Sequence, residues 1–227
     1  MLFTLPMMAG SLLQQAYNLT DTWIVGHYIG AHALAAVGSS YTVMVFLISI
    51  LWGLAMGSGT VVSIHYGAGQ FTALRRSLFI SFILIALFTA LITLTLFATL
   101  DSLLVFLQVP QEVYSPMRTY LWIVFWGIPY SCLYNFYAAM LRAVGDSVTP
   151  LYFLALSVAL NVVLDIVFIL LMKEGIAGAA IATVIAQAVS ALGLGMYAYF
   201  RRPELRWKRE DCRWDSTSLK EILSFST

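Results

Sequence analysis

Charged residues are scarce in this sequence and make up only 10% of its 227 positions. Soluble domains carry about 25% charged residues, whereas 61% of the residues here are hydrophobic. The formal net charge of +1 gives no indication of a nucleic-acid or acidic partner, and no nucleic acid is expected. The composition excludes a soluble globular domain and predicts a polytopic protein embedded in the lipid bilayer.

Cysteine is equally scarce, and the two cysteines do not indicate a disulfide framework. Cys132 lies in an apolar stretch and Cys212 in a basic tail, so a difference in depth is expected to keep them apart. The first 20 residues also lack a basic start and a small-residue cleavage site. They are therefore interpreted as a mature first helix, not as a signal peptide.

Six apolar windows indicate six transmembrane helices, because a span needs about 20 predominantly apolar residues. The windows cover residues 2–29, 33–66, 77–100, 120–141, 151–172 and 176–200. Helix-breaking residues separate them, namely Gly30, Gly67, Gly69, Pro110, Pro116, Gly145, Pro150 and Gly175. The sequence thus predicts an all-α integral membrane protein that forms a six-helix bundle.

Basic residues are distributed unequally between the two sides of these helices. Two of them, Arg118 and Lys173, lie on one side. The ten on the other side are Arg75, Arg76, Arg142, Arg201, Arg202, Arg206, Lys208, Arg209, Arg213 and Lys220. Because cytoplasmic loops are enriched in Lys and Arg, both termini are expected on the cytoplasmic face of the cytoplasmic membrane.

Two carboxylates, Asp21 and Asp165, are the only acidic residues that interrupt the long apolar runs. A charge in the hydrocarbon region costs about 2.5–3.5 kcal/mol on insertion scales. Acidic residues kept at such positions usually line ion or proton pathways. The default hypothesis is therefore a proton or cation site within a transporter.

Polar residues recur at helical spacing on three of the predicted helices, where they form one stripe per helix. The stripes are Gln14, Asn18 and Asp21; Ser157, Asn161 and Asp165; and Thr183, Gln187 and Ser190. Facing lipid, these groups would lack partners, so a shared interior is expected. Hydrogen bonds between helices are the alternative explanation, and for Gln14, Ser157 and Ser190 they are the preferred one.

The depth of these residues favours a single site. Asp165 and Thr183 each lie seven residues from the outer end of their helix, which corresponds to roughly 10 Å. Oxygen atoms from Asp21, Asn161, Asp165 and Thr183 suit a hard cation such as Na⁺. Two neighbouring, partly desolvated carboxylates also suit a proton. The sequence leaves the choice between the two ions open.

Aromatic residues on the fourth predicted helix, among them Trp126 and Tyr134, are candidates for the wall of a substrate cavity. Aromatic faces attract organic cations. Membrane-interface belts and helix packing explain most residues of this kind equally well. Gln14, Asn18 and Gln187 are further candidates for the same cavity.

Several short motifs together resemble the multidrug and toxic compound extrusion (MATE) family of transporters. The similarity comprises Leu5-Pro6, Asp21-Thr22 through Val25-Gly26, Gly30-Ala31 through Ala36-Val37-Gly38, Leu141-Arg142 through Gly145-Asp146, Thr149-Pro150, Asn161, Asp165 and Thr183. It covers essentially the whole chain.

The resemblance implies a fold, an activity and a site. Family members have twelve helices in two six-helix lobes and exchange Na⁺ or H⁺ for organic, often cationic, drugs. Residues 1–200 correspond to the amino-terminal lobe, and residues 201–227 to a cytoplasmic linker toward a missing carboxy-terminal lobe. Asp21, Asn161, Asp165 and Thr183 match the cation or proton site, and Pro6 matches the proline at which the first helix bends.

Two other functions compete with a cation-coupled drug antiporter, which is not an enzyme and needs no cofactor beyond its coupling ion. A lipid-linked oligosaccharide flippase of the same superfamily would be expected to carry intramembrane Lys or Arg, which this sequence lacks. An intramembrane aspartyl protease would use Asp21 and Asp165 as a catalytic pair. Neither aspartate lies in the Gly-x-Gly-Asp context of such proteases. A fragment without activity of its own is the remaining alternative.

Overall fold

The computed structural model describes residues 4–207, except for the side chains of residues 4–7, 47, 48 and 50. This part of the chain contains helices joined by short turns and no strand. The α-helices are α1 (Thr4–Tyr28), α2 (Ala31–Gly67), α3 (Phe71–Phe106), α4 (Gln111–Val124), α5 (Ile128–Ala143), α6 (Val148–Asp165) and α7 (Gly175–Arg201). A π-helical segment, Ile166–Leu171, continues α6, and a 3₁₀ turn, Pro203–Leu205, follows α7.

Helices α4 and α5 are the two halves of one bent helix. A 3₁₀ turn, Phe125–Gly127, separates them, and Pro129 follows it at the start of α5. A proline lacks the N–H of a regular helix, and its ring clashes with the carbonyl four residues earlier, so a break at this point is expected. Counted as one helix, α4 and α5 complete a bundle of six.

The predicted start of the fourth helix was wrong, because the helix begins at Gln111 and not near residue 120. Pro116, assigned to the preceding connection, lies inside α4. Helix α3 likewise extends beyond its apolar window at both ends. Helices are expected to outrun such windows, because hydropathy detects only the part of a helix that lies in hydrocarbon.

Four helices of the described chain are long and apolar enough to cross a membrane by length and composition alone. They are α2, α3, α6 with its π-helical continuation (Val148–Leu171), and α7. Helices α4 and α5 are each too short because the 3₁₀ turn divides them. The outward faces are apolar: Leu12, Phe46 and Leu94 are 69%, 70% and 69% exposed. The chain is an all-α integral membrane protein.

Helix α7 lies at the centre of the packing and contacts α4, α5 and α6. Its small residues allow close approach, as is common between transmembrane helices. A Cβ atom on Gly193 would lie 2.7 Å from the ring of Phe153, and one on Gly195 would lie 2.8 Å from the ring of Tyr137. These two glycines therefore let α6 and α5 pack directly on the α7 backbone.

The bundle has two distinct ends. The basic end is defined here as the end at which α2, α5 and α7 finish and α3 and α6 begin. Asp21 and Thr183 lie nearer the opposite end, since α1 finishes at Tyr28 and α7 begins at Gly175. Helix α7 finishes at Arg201, beside the predicted lobe boundary, while residues 208–227 of the predicted linker, including Cys212, lie outside the described residues. The division into lobe and linker therefore stays a prediction.

Candidate functional site

Asp21 and Asp165 lie side by side inside the bundle, where α1 packs against α6. Their residues are 6% and 0% exposed. The two carboxyl groups are within hydrogen-bonding reach of each other. Residues 144 positions apart in the sequence thus form one acidic pair, which is called the carboxyl pair below.

Asn161 and Thr183 border the carboxyl pair, and both are buried. With the Asn161 amide oriented so that both of its ends are satisfied, Nδ2 donates to Asp165 Oδ2 at 3.1 Å. Its Oδ1 then accepts from the backbone N–H of Thr183 at 3.3 Å. In the other orientation, Nδ2 donates to Thr183 Oγ1 at 3.4 Å. Both orientations join α6 to α7 at this level.

The local fold of α6 places Asp165 at a change of helix type. The α-helix ends at this residue, and the π-helical segment begins at Ile166. Such π turns are rare and occur frequently at functional sites. Helix α7 fits against the segment through Gly178, whose Cβ would lie 2.9 Å from Phe168 Cβ. A Cβ here would press on atoms at the base of Phe168 and Glu174 and not on the ends of flexible side chains, so glycine fits best.

Two tyrosines that the sequence analysis did not assign complete the surroundings of the carboxyl pair. Tyr17 lies one helical turn before Asp21 and donates a hydrogen bond from its hydroxyl to Thr183 Oγ1 at 3.3 Å. Tyr120 of α4 is 7% exposed and interacts electrostatically with Asp21 and Asp165. The spacing of four residues from Asp21 was a usable signal for Tyr17. Tyr120 carried no such signal, because only the packing of α4 brings it here.

The chemistry of this site is that of an acidic pair without a basic partner. The interactions of both carboxyl groups involve no Lys or Arg within residues 4–207. One oxygen of each, Asp21 Oδ1 and Asp165 Oδ1, is buried without a hydrogen-bond partner. Two carboxylates at this separation cannot both stay ionised unless a positive charge joins them. The site is therefore suited to a proton or a small cation.

A cavity of about 360 Å³ lies on the basic side of the carboxyl pair, between α1, α2, α5, α6 and α7. Polar but uncharged residues make up most of its lining, together with a few apolar ones. The lining residues are Ser11, Gln14, Gln15, Tyr17, Asn18, Tyr41, Val45, Ser49, Trp52, Ser131, Tyr134, Asn135, Leu154, Ser157, Val158, Gln187 and Ser190. No Asp, Glu, Lys or Arg of the described chain lines it.

Four of the five residues predicted for a substrate cavity, Gln14, Asn18, Gln187 and Tyr134, line this one. Asn18 donates to the hydroxyl of Tyr41 at 3.1 Å, which joins α1 to α2 across the wall. The hydroxyl of Tyr134 donates to the carbonyl of Pro150 at 2.8 Å. Tyr41 and Trp52 of α2 also belong to the wall, and sequence analysis missed both because no polar stripe marks α2.

Trp126 does not line the cavity. It lies in the 3₁₀ turn between α4 and α5, is 60% exposed, and packs against Phe97 with the ring centroids 5.2 Å apart. The change of helix type turns Trp126 outward, away from the side occupied by Tyr134. Pro6 lies in the first turn of α1, and its side chain is outside the described residues.

Tyr17 connects the cavity to the carboxyl pair. Its side chain lines the cavity, and its hydroxyl binds Thr183, which also contacts Asn161. Among the described residues that line the cavity, Tyr17 has a hydrogen bond to a predicted cation-site residue. A change at the pair can therefore reach the cavity wall through one side chain.

Comparison with protein families and curated proteins identifies the relatives of this chain. The MatE family model matches residues 6–167. Similar proteins include the probable multidrug resistance protein YpnP of Bacillus subtilis, 34% identical over 191 residues, covering 84% of this chain and 43% of the relative. The probable multidrug resistance protein NorM of Thermotoga maritima is 31% identical, with coverage of 96% and 48%. The chain thus spans about half the length of the curated relatives it matches.

Solved structures agree with this relationship. A MOP superfamily transporter from Pyrococcus furiosus superposes with a TM-score of 0.91 at 28% identity, covering 99% of this chain and 50% of that one. The Vibrio cholerae MATE transporter VcmN gives a TM-score of 0.87 at 28% identity, covering 97% and 50%. The described bundle therefore corresponds to one lobe of the two-lobed, twelve-helix transporters. The chain belongs to the MATE family, a family of transporters and not of enzymes.

Proposed function

We propose that this chain forms one lobe of a cation-coupled antiporter that exports organic, often cationic, compounds. The observation that carries the proposal is the buried carboxyl pair beside a neutral, polar and partly aromatic cavity. A neutral cavity wall accepts a drug-sized molecule through hydrogen bonds and ring contacts. The names of YpnP and NorM as probable multidrug resistance proteins support the same substrate class.

A proton is the coupling ion that the side-chain network favours. With the Asn161 amide in its satisfied orientation, its oxygen accepts from the Thr183 backbone and its nitrogen faces Asp165. The amide oxygen then already accepts one hydrogen bond, and the amide nitrogen that faces Asp165 cannot bind a cation. Na⁺ would take its oxygens mainly from Asp21, Asp165 and Thr183, and the Asn161 amide would have to turn before its oxygen could join them. A proton needs only the two touching carboxyl groups, so Na⁺ is the second candidate.

Coupling follows from the position of Tyr17. When the carboxyl pair holds a proton, one carboxyl donates to the other and the repulsion between them is gone. When the proton leaves, the pair needs new hydrogen-bond donors, and Tyr17 and Tyr120 both interact electrostatically with it. A shift of the Tyr17 side chain that lets its hydroxyl donate to Asp21 breaks the bond to Thr183 and displaces a ring that lines the cavity. Proton release and substrate binding are linked in this way.

The uncharged cavity favours a drug antiporter over a flippase of lipid-linked oligosaccharides. A pyrophosphate group needs basic side chains or other anion-binding donors. Within residues 4–207 the cavity wall offers amides, hydroxyls and aromatic rings but no Lys or Arg. An aspartyl protease is inconsistent with membership in a transporter family.

The carboxyl group of Asp165 is expected to be indispensable for coupling. Asp165→Asn keeps the shape of the side chain and removes the ionisable group. In the transporter completed by its second lobe, efflux driven by a pH gradient in sodium-free vesicles should fall to background, while expression and folding persist. Asp101→Asn is the matched control, because Asp101 is exposed and paired with Arg118 at 2.6 Å, and it should retain wild-type efflux. Efflux by Asp165→Asn at the wild-type rate would contradict the assignment of Asp165 to the coupling site. If the unmodified transporter exports substrate only when sodium is present, the coupling ion is Na⁺ and not a proton.

The Tyr17 hydroxyl is expected to matter for coupling but not for the fold. Tyr17→Phe keeps the aromatic ring in the cavity wall and removes the donor to Thr183. Loss of one hydrogen bond costs about 0.5–1.5 kcal/mol, so efflux per imposed proton gradient should fall roughly 2- to 12-fold. Substrate binding at equilibrium should change less than twofold. Tyr152→Phe, at a tyrosine that is 70% exposed, is the control. Equal losses in binding and efflux would assign Tyr17 to the cavity alone.

A second lobe is expected to be needed for transport. Alternating access in transporters usually relies on one half of the protein rocking against the other, and this chain provides one wall of the cleft. Vesicles that contain only the 227-residue chain should show no ethidium efflux. Vesicles in which the chain is joined to a carboxy-terminal lobe of the family should export ethidium. Efflux by the chain alone would refute the half-transporter proposal.

The basic end of the bundle is proposed to face the cytoplasm. The ten-to-two distribution of Lys and Arg supports this orientation. In intact cells, an impermeant maleimide should label a cysteine that replaces Lys173 and should not label one that replaces Arg75. Cys132 is buried and provides little background. The reverse labelling pattern would invert the topology.

A further inference from the structure

The six residues after α7 fold back against the basic end of the bundle. Arg202 leaves the helix with φ −124° and ψ 80°, and the 3₁₀ turn Pro203–Leu205 follows. Leu205 packs against the buried cluster formed by Ala138, Leu141, Leu194 and Ala198 of α5 and α7. This segment, residues 202–207, is called the strap below. The sequence analysis assigned these residues to the cytoplasmic linker of residues 201–227.

Trp207 holds the far end of the strap. Its ring centroid lies 4.9 Å from that of Phe82 and 6.0 Å from that of Phe79, both on α3. Phe82 in turn packs edge to face on Phe136 of α5, with the ring centroids 5.5 Å apart. The strap therefore crosses from the end of α7 to α3, which is not a sequence neighbour of α7.

An ion pair holds the near end of the strap. Arg202 Nη2 donates to Asp146 Oδ2 at 2.9 Å, and the side chains of the pair are 30% and 10% exposed. Asp146 lies in the turn between α5 and α6, and its carboxylate also accepts from the backbone and the hydroxyl of Thr149 at 3.1 and 2.9 Å. Burial alone would raise the pKa of Asp146, but these bonds from Arg202 and Thr149 outweigh it and hold the pKa below its ordinary value. The pair thus stays ionised at neutral pH.

A third attachment lies between the two ends. The Arg206 guanidinium donates to the carbonyl groups of Tyr199 and Phe200 at the end of α7, and it lies over the Tyr199 ring at 5.1 Å from the centroid. The last carbonyls of a helix have no partners within the helix, so a cation from the following segment satisfies them. Arg206 both caps α7 and keeps the strap turned back on it.

We propose that the strap holds the helices together at the basic end of this lobe. The strap then moves with the lobe, and any free linker to a second lobe begins beyond Trp207. The strap ties the end of α7 to α3 and to the α5–α6 turn. Asp146 lies 19 residues before Asp165, and Arg202 lies 19 residues after Thr183. Asn161 therefore joins α6 to α7 beside the carboxyl pair. The Arg202–Asp146 ion pair joins the end of α7 to the start of α6 at the basic end. The proposal does not depend on the coupling ion or the substrate.

The consequence for transport is mechanical. If the tether started at Arg201, force from a second lobe would act on the end of α7 alone. With the strap closed, force applied beyond Trp207 reaches α3, α5, α6 and α7 together. The lobe then responds as one body, which is what rocking of one half against the other requires.

Hydrogen exchange of the strap amides in the 227-residue chain, held in lipid nanodiscs, tests the proposal. The N–H groups of Leu205 and Arg206 donate to the carbonyls of Arg202 and Pro203 at 3.0 and 3.2 Å. In the wild-type chain, the peptide covering residues 203–207 should exchange at least tenfold more slowly than a free peptide of the same sequence. Arg202→Gln and Trp207→Ala should each speed this exchange at least fivefold.

Two controls separate the strap from general loss of structure. Arg201→Gln removes the same charge one residue away, from an exposed side chain outside the Asp146 ion pair, and should change the exchange less than twofold. Trp207→Phe keeps a ring against Phe79 and Phe82 and should restore most of the protection lost in Trp207→Ala. Peptides from α3 and α7 should keep their protection in every variant. Exchange as fast as in the free peptide, or equal exchange in the wild-type, Arg202→Gln and Trp207→Ala chains, would overturn the proposal.

Discussion

The burial of two carboxyl groups side by side is the constraint on which the arrangement of the surrounding helices depends. A bilayer interior offers no water to solvate a charge, so every group near Asp21 and Asp165 has to be supplied by a neighbouring helix. Helix α6 supplies Asn161, α7 supplies Thr183, α1 supplies Tyr17 and α4 supplies Tyr120. Four helices thus contribute polar side chains at one level, around a single pair of carboxyl groups.

Helix α7 allows the four helices to pack closely at this level because its side chains there are small. Its residues Gly178, Ala179, Ala180 and Ala182 face neighbours in the half of the helix that holds Thr183. Close approach brings the π-helical segment after Asp165 within contact of Gly178. The geometry of the carboxyl pair therefore depends on the small residues of α7. Larger side chains on α7 would push α6 away and would displace Asp165 with it.

The part of this architecture that could be predicted from the sequence is the part that follows helical periodicity. The six apolar windows locate the six helices, and the spacing of Gln14, Asn18 and Asp21 places three polar groups on one face of α1. Contacts between helices that are distant in the sequence, such as that of Tyr120 with the carboxyl pair, produce no periodic pattern from which they could be predicted. Trp126 lies outside this cavity, because the 3₁₀ turn and Pro129 between it and Tyr134 interrupt the regular helical spacing on which its assignment relied. The strap was hidden for another reason, since Arg202 and Arg206 look solvated until Asp146 and the end of α7 are known.

The uncharged wall of the cavity has a consequence for selectivity. A terminal amide presents a donor on one side and an acceptor on the other, and half a rotation exchanges them; a hydroxyl reorients even more easily. Gln14, Gln15 and Gln187 therefore give this part of the wall no fixed polarity. In the proposed drug-binding role, such a surface would place little demand on the order of donors and acceptors in a guest molecule. Discrimination would then rest mainly on the volume and flatness of the guest.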